Sequence, residues 1–242
     1  VQCSSFIALS NGTNISFDNA LEVEPFDRLL IVGEYQVEKL TLFQVANNLR
    51  IELPSSEGSI TLENWFSNQN SKIGIFEMPN GNELQFSELR DILPIHQTLT
   101  ENDDEYVGKD DIEIIDGASG DDMIDGGNGD DILFGGEGKD TLIGGNGSDT
   151  LYGGPGDEDL LIGNQSETDQ NDGHADTYVF YYGDGRDSLI DRSLSNSTSG
   201  EIQLPDIKQG SITFNFSGED LILIIDEFNQ LTIIDWYNSA FN

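Results

Sequence analysis

Along the middle third of the chain one apolar residue returns every nine positions: Ile124, Leu133, Leu142 and Leu151. Each lies in a short apolar run such as Ile132-Leu133-Phe134, long enough for one brief strand and too short for a helix. Glycine-rich stretches separate the runs. Two nine-residue units make a turn of 18 residues. Successive apolar residues then fall on opposite walls of a narrow roll, all pointing inward, and loops 18 apart stack on the same side. The pattern predicts an all-β fold built on a parallel β-roll.

Outside this block the pattern changes to strand-like alternation, and it does so twice. Residues 38–53 (EKLTLFQVANNLRIEL) match residues 210–225 (GSITFNFSGEDLILII), and residues 59–66 match 230–237 with Trp65 on Trp236. Residues 12–18 similarly match 185–191, at a spacing of about 172 residues. The first copy continues through a predicted hairpin over residues 72–86, turning at Asn80-Gly81, and a short helix over 87–93 with Ser87 as its N-cap. The second copy reaches Asn242, which aligns with Ser71, before its own hairpin. The expected organisation is therefore a β-rich flanking module (1–95), a linker (96–107), the roll (108–191) and a second, truncated flanking module (192–242). The two modules cap the ends of the roll, as atypical terminal units do in repeat architectures. The chain is expected to be a piece of a longer parent polypeptide.

The nonapeptides read GASGDDMID from Gly117, GGNGDDILF from Gly126, GGEGKDTLI from Gly135 and GGNGSDTLY from Gly144; GGPGDEDLLI from Gly153 has one extra residue. Paired glycines let the loop curl tightly and turn its carbonyl oxygens inward. Every unit adds a carboxylate at fixed phase: Asp122, Asp131, Asp140 and Asp149. Carbonyls and carboxylates are hard oxygen donors of the kind calcium takes six to eight at a time. No Cys or His lies in the units, which disfavours zinc and copper; magnesium demands a tighter octahedron. Stacking at 18 residues brings Asp122 to Asp140 and Asp131 to Asp149, so one cation between each pair neutralises both. At the irregular ends Asp110, Asp159, Asp176 and Asp187 are expected to serve, with Glu158 competing for the place of Asp159. The insertion over 165–175 is expected to remove one stacking contact. A flexible glycine-rich linker would not need an aspartate and an apolar residue at constant phase. An EF-hand would need a DxDxDG loop followed by a helix and a closing glutamate.

The chain has 242 residues and a formal net charge of −36. Residues 101–176 hold 23 Asp+Glu against two Lys, and 17 of the 27 glycines. Such a segment repels itself and carries too little apolar surface to offset its chain entropy. It is expected to fold only when a cation binds. The charge excludes nucleic acid as a partner, and no apolar stretch of the ~18 residues needed to span a membrane exists. The first residues lack a basic n-region followed by an apolar run. Cys3 is the only cysteine, so no intrachain disulfide forms.

The repeats resemble the RTX proteins, the repeats-in-toxin or hemolysin-type calcium-binding family of secreted toxins, proteases, lipases, adhesins and surface-layer proteins. The resemblance covers roughly residues 108–191, and the phrase DTYVFYYGDGRDSLID over 176–191 is similar to the exit from an RTX block. The flanks are similar to the linkers between blocks in adenylate cyclase toxin and FrpC-like exoproteins. The resemblance implies a calcium-stacked β-roll, passage through a type I secretion machinery, and folding outside the cell, where modules bind calcium at ~10⁻⁴–10⁻³ M. It also implies that each ion is held by two aspartates and by loop residues. Carried onto this chain, the loop residues are Gly117 and Ser119; Gly126, Gly127, Asn128 and Gly129; Gly135, Gly136, Glu137 and Gly138; and Gly144, Gly145, Asn146 and Gly147. About four to six calcium ions are expected, one per closed pair of loops.

Enzyme chemistry finds no foothold. The two histidines, His96 and His174, are far apart in sequence, and no GxSxG, HExxH or Cys-His arrangement occurs. No proline follows an aspartate, so the Asp-Pro self-cleavage of some FrpC-like proteins does not transfer. Trp65, Phe66, Trp236 and Tyr237 could stack on sugars, but packing in the module cores is the commoner fate of such residues. The reading is a non-catalytic calcium-binding segment of a secreted bacterial exoprotein of toxin or adhesin type, at the cell surface or outside the cell. The alternatives are a calcium-dependent adhesin module holding a host or matrix glycan, and a non-catalytic appendage of a secreted hydrolase.

Overall fold

The computed structural model describes residues 6–9, 14–15, 28–31, 37–53, 59–62, 65, 75–77, 81–90, 92–156, 158–164, 174–191 and 200–235. The chain divides into two units, Val1–Gln97 and Thr98–Asn242. Strand dominates both, as the alternating and nine-residue patterns require.

The first unit contains β1 (Phe6–Leu9), β2 (Asn14–Ile15), β3 (Arg28–Ile31), β4 (Thr41–Val45), β5 (Asn48–Glu52), β6 (Ser59–Leu62), β7 (Ile75–Glu77), β8 (Glu83–Leu84), α1 (Phe86–Arg90) and β9 (Ile95–Thr98). Strands β1, β3, β7 and β8 form one sheet. In a second arrangement β4, β5 and β6 run antiparallel in sequence, β9 lies parallel beside β4, and β2 lies parallel beside β6. The β7–β8 hairpin closes at Gly81, whose φ of +82° is open to glycine; Asn80 lies outside the described residues. The helix begins at Phe86, so Ser87 is inside it and is not the N-cap. Gln85 takes that place, and its N–H donates to Glu88 Oε2 at 2.7 Å. Leu42, Leu49, Ile51, Ile60, Leu62, Phe76, Leu89 and Ile95 build the core with Trp65. Trp65 is 2% exposed and meets Phe86 edge-on at 4.9 Å between ring centroids, so its face is spent on packing.

The second unit is the roll. One wall is β10 (Glu105–Val107), β12 (Met123–Asn128), β14 (Thr141–Asn146), β16 (Leu160–Ile162) and β18 (Arg186–Ile190). The other is β11 (Glu113–Asp116), β13 (Ile132–Phe134), β15 (Thr150–Tyr152), β17 (Thr177–Val179) and β19 (Glu201–Gln203). All pairings within each wall are parallel: Ile124 lies beside Leu142, Leu142 beside Leu161, Leu133 beside Leu151 and Leu151 beside Tyr178. Ile115, Ile124, Leu133, Leu142 and Leu151 are all fully buried in the channel between the walls. Phe134 and Tyr152 stack outside it, with centroids 4.5 Å apart.

The long insertion does not break this order. Register resumes at β17, and the amide of Asp149 still reaches Asp176 Oδ1 at 3.0 Å. The expected loss of a stacking contact is therefore corrected: a parallel coil needs only that its next strand return in phase, and the extra residues are taken up in the loop.

Strands β20 (Thr213–Ser217), β21 (Asp220–Ile224) and β22 (Gln230–Ile233) extend the first wall through β22, which pairs parallel with β18. They repeat the β4–β5–β6 meander. The pair Thr41↔Glu52 returns as Thr213↔Ile224, both members shifted by 172 residues, and the remaining four pairs keep that shift. The surroundings differ: Leu42 is buried, whereas its counterpart Phe214 on the edge strand β20 is exposed.

Ala118 holds φ +77° at the second position of its unit, where the later units place Gly127, Gly136 and Gly145 at +93°, +108° and +104°. A Cβ in the left-handed region costs about 1–2 kcal/mol. Ala118→Gly should raise stability in saturating calcium by about 1 kcal/mol, read by urea unfolding; an unchanged midpoint would show that the loop absorbs the strain.

Candidate metal centre

Each repeat aspartate follows its glycine loop and stands at the head of a strand, where the strand's inward register carries its carboxylate into the loop stack. Asp122, Asp131, Asp140, Asp149, Asp159, Asp176 and Asp187 are all buried. They form two ladders. On one side the amide of Asp122 donates to Asp140 Oδ1 at 2.8 Å, Asp140 to Asp159 Oδ1 at 2.7 Å, and Asp159 to Asp187 Oδ1 at 3.2 Å. On the other, Asp131 donates to Asp149 Oδ1 at 2.8 Å and Asp149 to Asp176 Oδ1 at 3.0 Å. One carboxylate oxygen per residue thus satisfies the backbone of the coil before it.

The other oxygen carries the chemistry. Oδ2 of Asp122, Asp131, Asp140 and Asp159 is buried and accepts no hydrogen bond. A buried carboxylate oxygen without a donor is costly. It stays only where another positive group meets it. Backbone carbonyls converge on the same points. A Cβ at Gly144 would lie 2.5 Å from Asp149 Oδ2 and 2.8 Å from the Gly163 carbonyl; at Gly126 it would lie 2.7 Å from Asp131 Oδ2 and 2.6 Å from the Gly144 carbonyl. Gly117 and Gly135 face Asp122 Oδ2 and Asp140 Oδ2 in the same way, each with the carbonyl of the glycine one coil on. Only glycine leaves this space open. Among the described residues no three acidic or histidine side chains converge, so backbone carbonyls must complete any coordination shell. A carboxylate and several carbonyls per loop fit calcium, an ion that accepts flexible all-oxygen geometry.

The remaining predicted loop residues are placed as follows. Gly129, Gly138 and Gly147 hold φ of +130°, +139° and +135°. Ser119 bridges to Glu137 in the parallel sense. The side chains of Asn128, Glu137 and Asn146 are exposed, so only their backbone can face an ion. Asn146 Nδ2 donates to Asn128 Oδ1 at 2.7 Å, and Asn128 Nδ2 donates to Asp110 Oδ1.

That last contact corrects the placement of Asp110, which is exposed at the rim. Glu113 occupies the ladder position instead: it is fully buried and its amide donates to Asp131 Oδ1 at 2.8 Å. The signal was the phase, since Glu113 follows Gly108 by the same five residues that separate Asp122 from Gly117. Glu113 differs from the aspartates in having both oxygens engaged. Oε2 accepts from the Lys109 amide at 2.8 Å, and Oε1 from the Tyr106 hydroxyl at 3.3 Å. Asp104 heads the other ladder, and its Oδ2 accepts from the Thr100 amide and hydroxyl at 2.8 and 2.7 Å. Both ladders therefore start on carboxylates satisfied by the protein itself. At the fifth unit Asp159 is in the ladder, while Glu158 turns outward at φ +74° to meet Lys139 at 2.9 Å. A rim ladder that sequence reading missed runs the opposite way: the amides of Asp121, Lys139 and Ser148 donate to Asp103, Asp121 and Asp130 at 2.9–3.0 Å.

Without a cation the ladder carboxylates are hard to ionise. Burial pushes Asp131 up to about 8, with Asp149 and Glu113 adding repulsion against the relief given by the Glu113 amide. Burial likewise raises Asp159 to about 7 and Asp140 to about 6, and it raises Asp122.

Residues 107–142 and 134–165 match the RTX calcium-binding nonapeptide repeat, in four copies. No curated protein matches the chain. Among solved structures, the extracellular lipase LipA from Serratia marcescens matches at 17% sequence identity with a TM-score of 0.35, over 92% of this chain and 31% of that one. This chain therefore spans about a third of the lipase. The central block consists of RTX repeats, which bind Ca²⁺ and are typical of secreted bacterial exoproteins. Among the described residues no helix is long and apolar enough to cross a membrane.

In chelator the raised aspartates give the pH dependence a definite sign. The folded chain binds protons more tightly than the unfolded chain, so metal-free stability is highest near pH 4 and falls as pH rises through about 6 to 8, where Asp140, Asp159 and Asp131 ionise. Circular dichroism in chelator should show more strand at pH 4.5 than at pH 8, within the window set by these pKa values. The opposite trend would contradict the buried ladder. Because both Glu113 oxygens already accept hydrogen bonds, Glu113→Gln should leave the number of bound calcium ions unchanged by native mass spectrometry. Loss of an ion would place Glu113 among the ligands.

Proposed function

We propose that this chain is the calcium-binding segment of a larger secreted bacterial exoprotein, non-catalytic in itself, that folds on calcium after leaving the cell through a type I channel. The observation that supports the reading is the row of buried Oδ2 atoms lacking hydrogen bonds, each beside a glycine carbonyl from the neighbouring coil. Asp122, Asp131, Asp140, Asp149, Asp159, Asp176 and Asp187 are the ligands this reading assigns, with the carbonyls of the glycine loops completing each shell. Where cytosolic calcium is scarce the carboxylates repel and the segment stays extended enough to thread. Outside, the ion binds only the coiled form and so draws the chain into it. The flanking β-rich segments would cover the ends of the roll. A sugar-binding role is less well supported, because Trp65 is consumed by the core; Phe66, Trp236 and Tyr237 lie outside the described residues.

Calcium titrated into the chelated protein at pH 7.5 should produce a steep rise in β-signal with a midpoint of about 10⁻⁴–10⁻³ M, steeper than single-site binding because each ion pre-forms the next coil's site. A spectrum unmoved by calcium or by its removal would refute the reading.

A further inference from the structure

The last coil carries an oxygen that the repeats do not have. At the inward position where the upper coils place Leu133 and Leu151, β17 carries Tyr178. Its ring extends the core and is 1% exposed. Its hydroxyl passes beyond the apolar channel into the loop stack. There a Cβ at Gly163 would collide with both the Tyr178 hydroxyl and Asp176 Oδ2. In the coils above, the equivalent point is shared by an aspartate Oδ2 and a glycine carbonyl, so the phenol oxygen stands where the carbonyl would be. The other side of the ring faces the Gly200 loop. A Cβ at Gly200 would meet Asp191 Oδ2, the Asp176 carbonyl at 3.1 Å and the Tyr178 ring at 3.3 Å. Asp191 is itself buried.

Four oxygens of three residues therefore surround one buried ring edge: the phenol, the Asp176 carboxylate, the Asp176 carbonyl and the Asp191 carboxylate. No hydrogen bond of ordinary geometry satisfies the hydroxyl, although burial and the nearby Asp191 and Asp176 carboxylates hold its proton tightly. A phenol has one proton and two acceptor lone pairs. With the proton turned toward Asp191, the lone pairs point at Asp176 Oδ2, which is an arrangement only a cation between them makes favourable.

We propose that Tyr178 Oη, the Asp176 carboxylate and the Asp191 carboxylate hold a terminal calcium ion that closes the stack at its exit. The site rests on the calcium reading of the repeats and adds a ligand type that they lack. It sits where the regular carbonyl supply ends, and it ties the last nonapeptide-like coil to the Gly200 loop that leads into β19.

Native mass spectrometry in saturating calcium tests it directly. Tyr178→Phe keeps the ring and removes only the hydroxyl. It should bind one ion fewer than the parent chain while showing the same far-ultraviolet dichroism. Asp191→Asn should lose the same ion, and the double variant should also be one short and not two. An undiminished count in Tyr178→Phe overturns the proposal. So does a count raised by one, which would mean that the hydroxyl plugs the cradle. If Tyr178→Phe does not reach the parent's dichroism, the Asp191→Asn count decides, and an undiminished count overturns the proposal. A parent chain that binds no ions is a separate outcome: it refutes the calcium reading itself.

Discussion

Stacked carboxylates out of reach of water are the constraint on which this structure turns. Parallel coiling places an aspartate above an aspartate in each ladder, and burial makes every one of them reluctant to ionise. Half of each carboxylate is used locally, as an acceptor for the amide of the preceding coil. The other half faces glycine carbonyls, so negative oxygen meets negative oxygen. An ion that takes oxygens from two coils turns this repulsion into the bond between them. Because the same ion has no comparable site in the unfolded chain, binding and folding become one process.

The rest of the unit fits around that requirement. The apolar channel is one residue wide per strand, and Ile124, Leu133, Leu142 and Leu151 fill it without supplying enough burial for independent stability. The glycines hold open the space beside each Oδ2 that any side chain would fill. The ends are treated differently from the middle. At the start, Asp104 and Glu113 are satisfied by Thr100, Lys109 and Tyr106, so both ladders begin on carboxylates that already have protein donors. At the exit a tyrosine enters the stack, and a meander that repeats β4–β6 continues the wall through β22.

Much of this was legible because nine residues is a strict clock. Position within the unit alone puts Asp122, Asp131, Asp140 and Asp149 in the ladders and Leu133 and Leu151 in the channel. The duplicated meander was equally legible, since alternation and two tryptophans survive at constant spacing. The misreadings came where residue type was followed in preference to phase. Asp110 was taken because it is an aspartate, although Glu113 keeps the interval. Ser87 was taken as an N-cap because serine is a good one, although packing of Phe86 against Trp65 starts the helix one residue earlier. The insertion before Asp176 was expected to interrupt the stack, although a parallel ladder feels only the strand that returns. No periodicity points to the Tyr178 hydroxyl, because its place depends on how far a longer side chain reaches through the channel.

Residue-resolved hydrogen exchange of the ladder amides is the most direct test of the central claim. The amides of Asp122, Asp131, Asp140 and Asp149 donate only across coils, to carboxylates that the ion is held to organise. In calcium at pH 7.5 they should exchange slowly and as a group; in chelator at the same pH they should exchange at free-chain rates. Equal protection in both conditions would show that the coils hold together without the ion, and the account would fail.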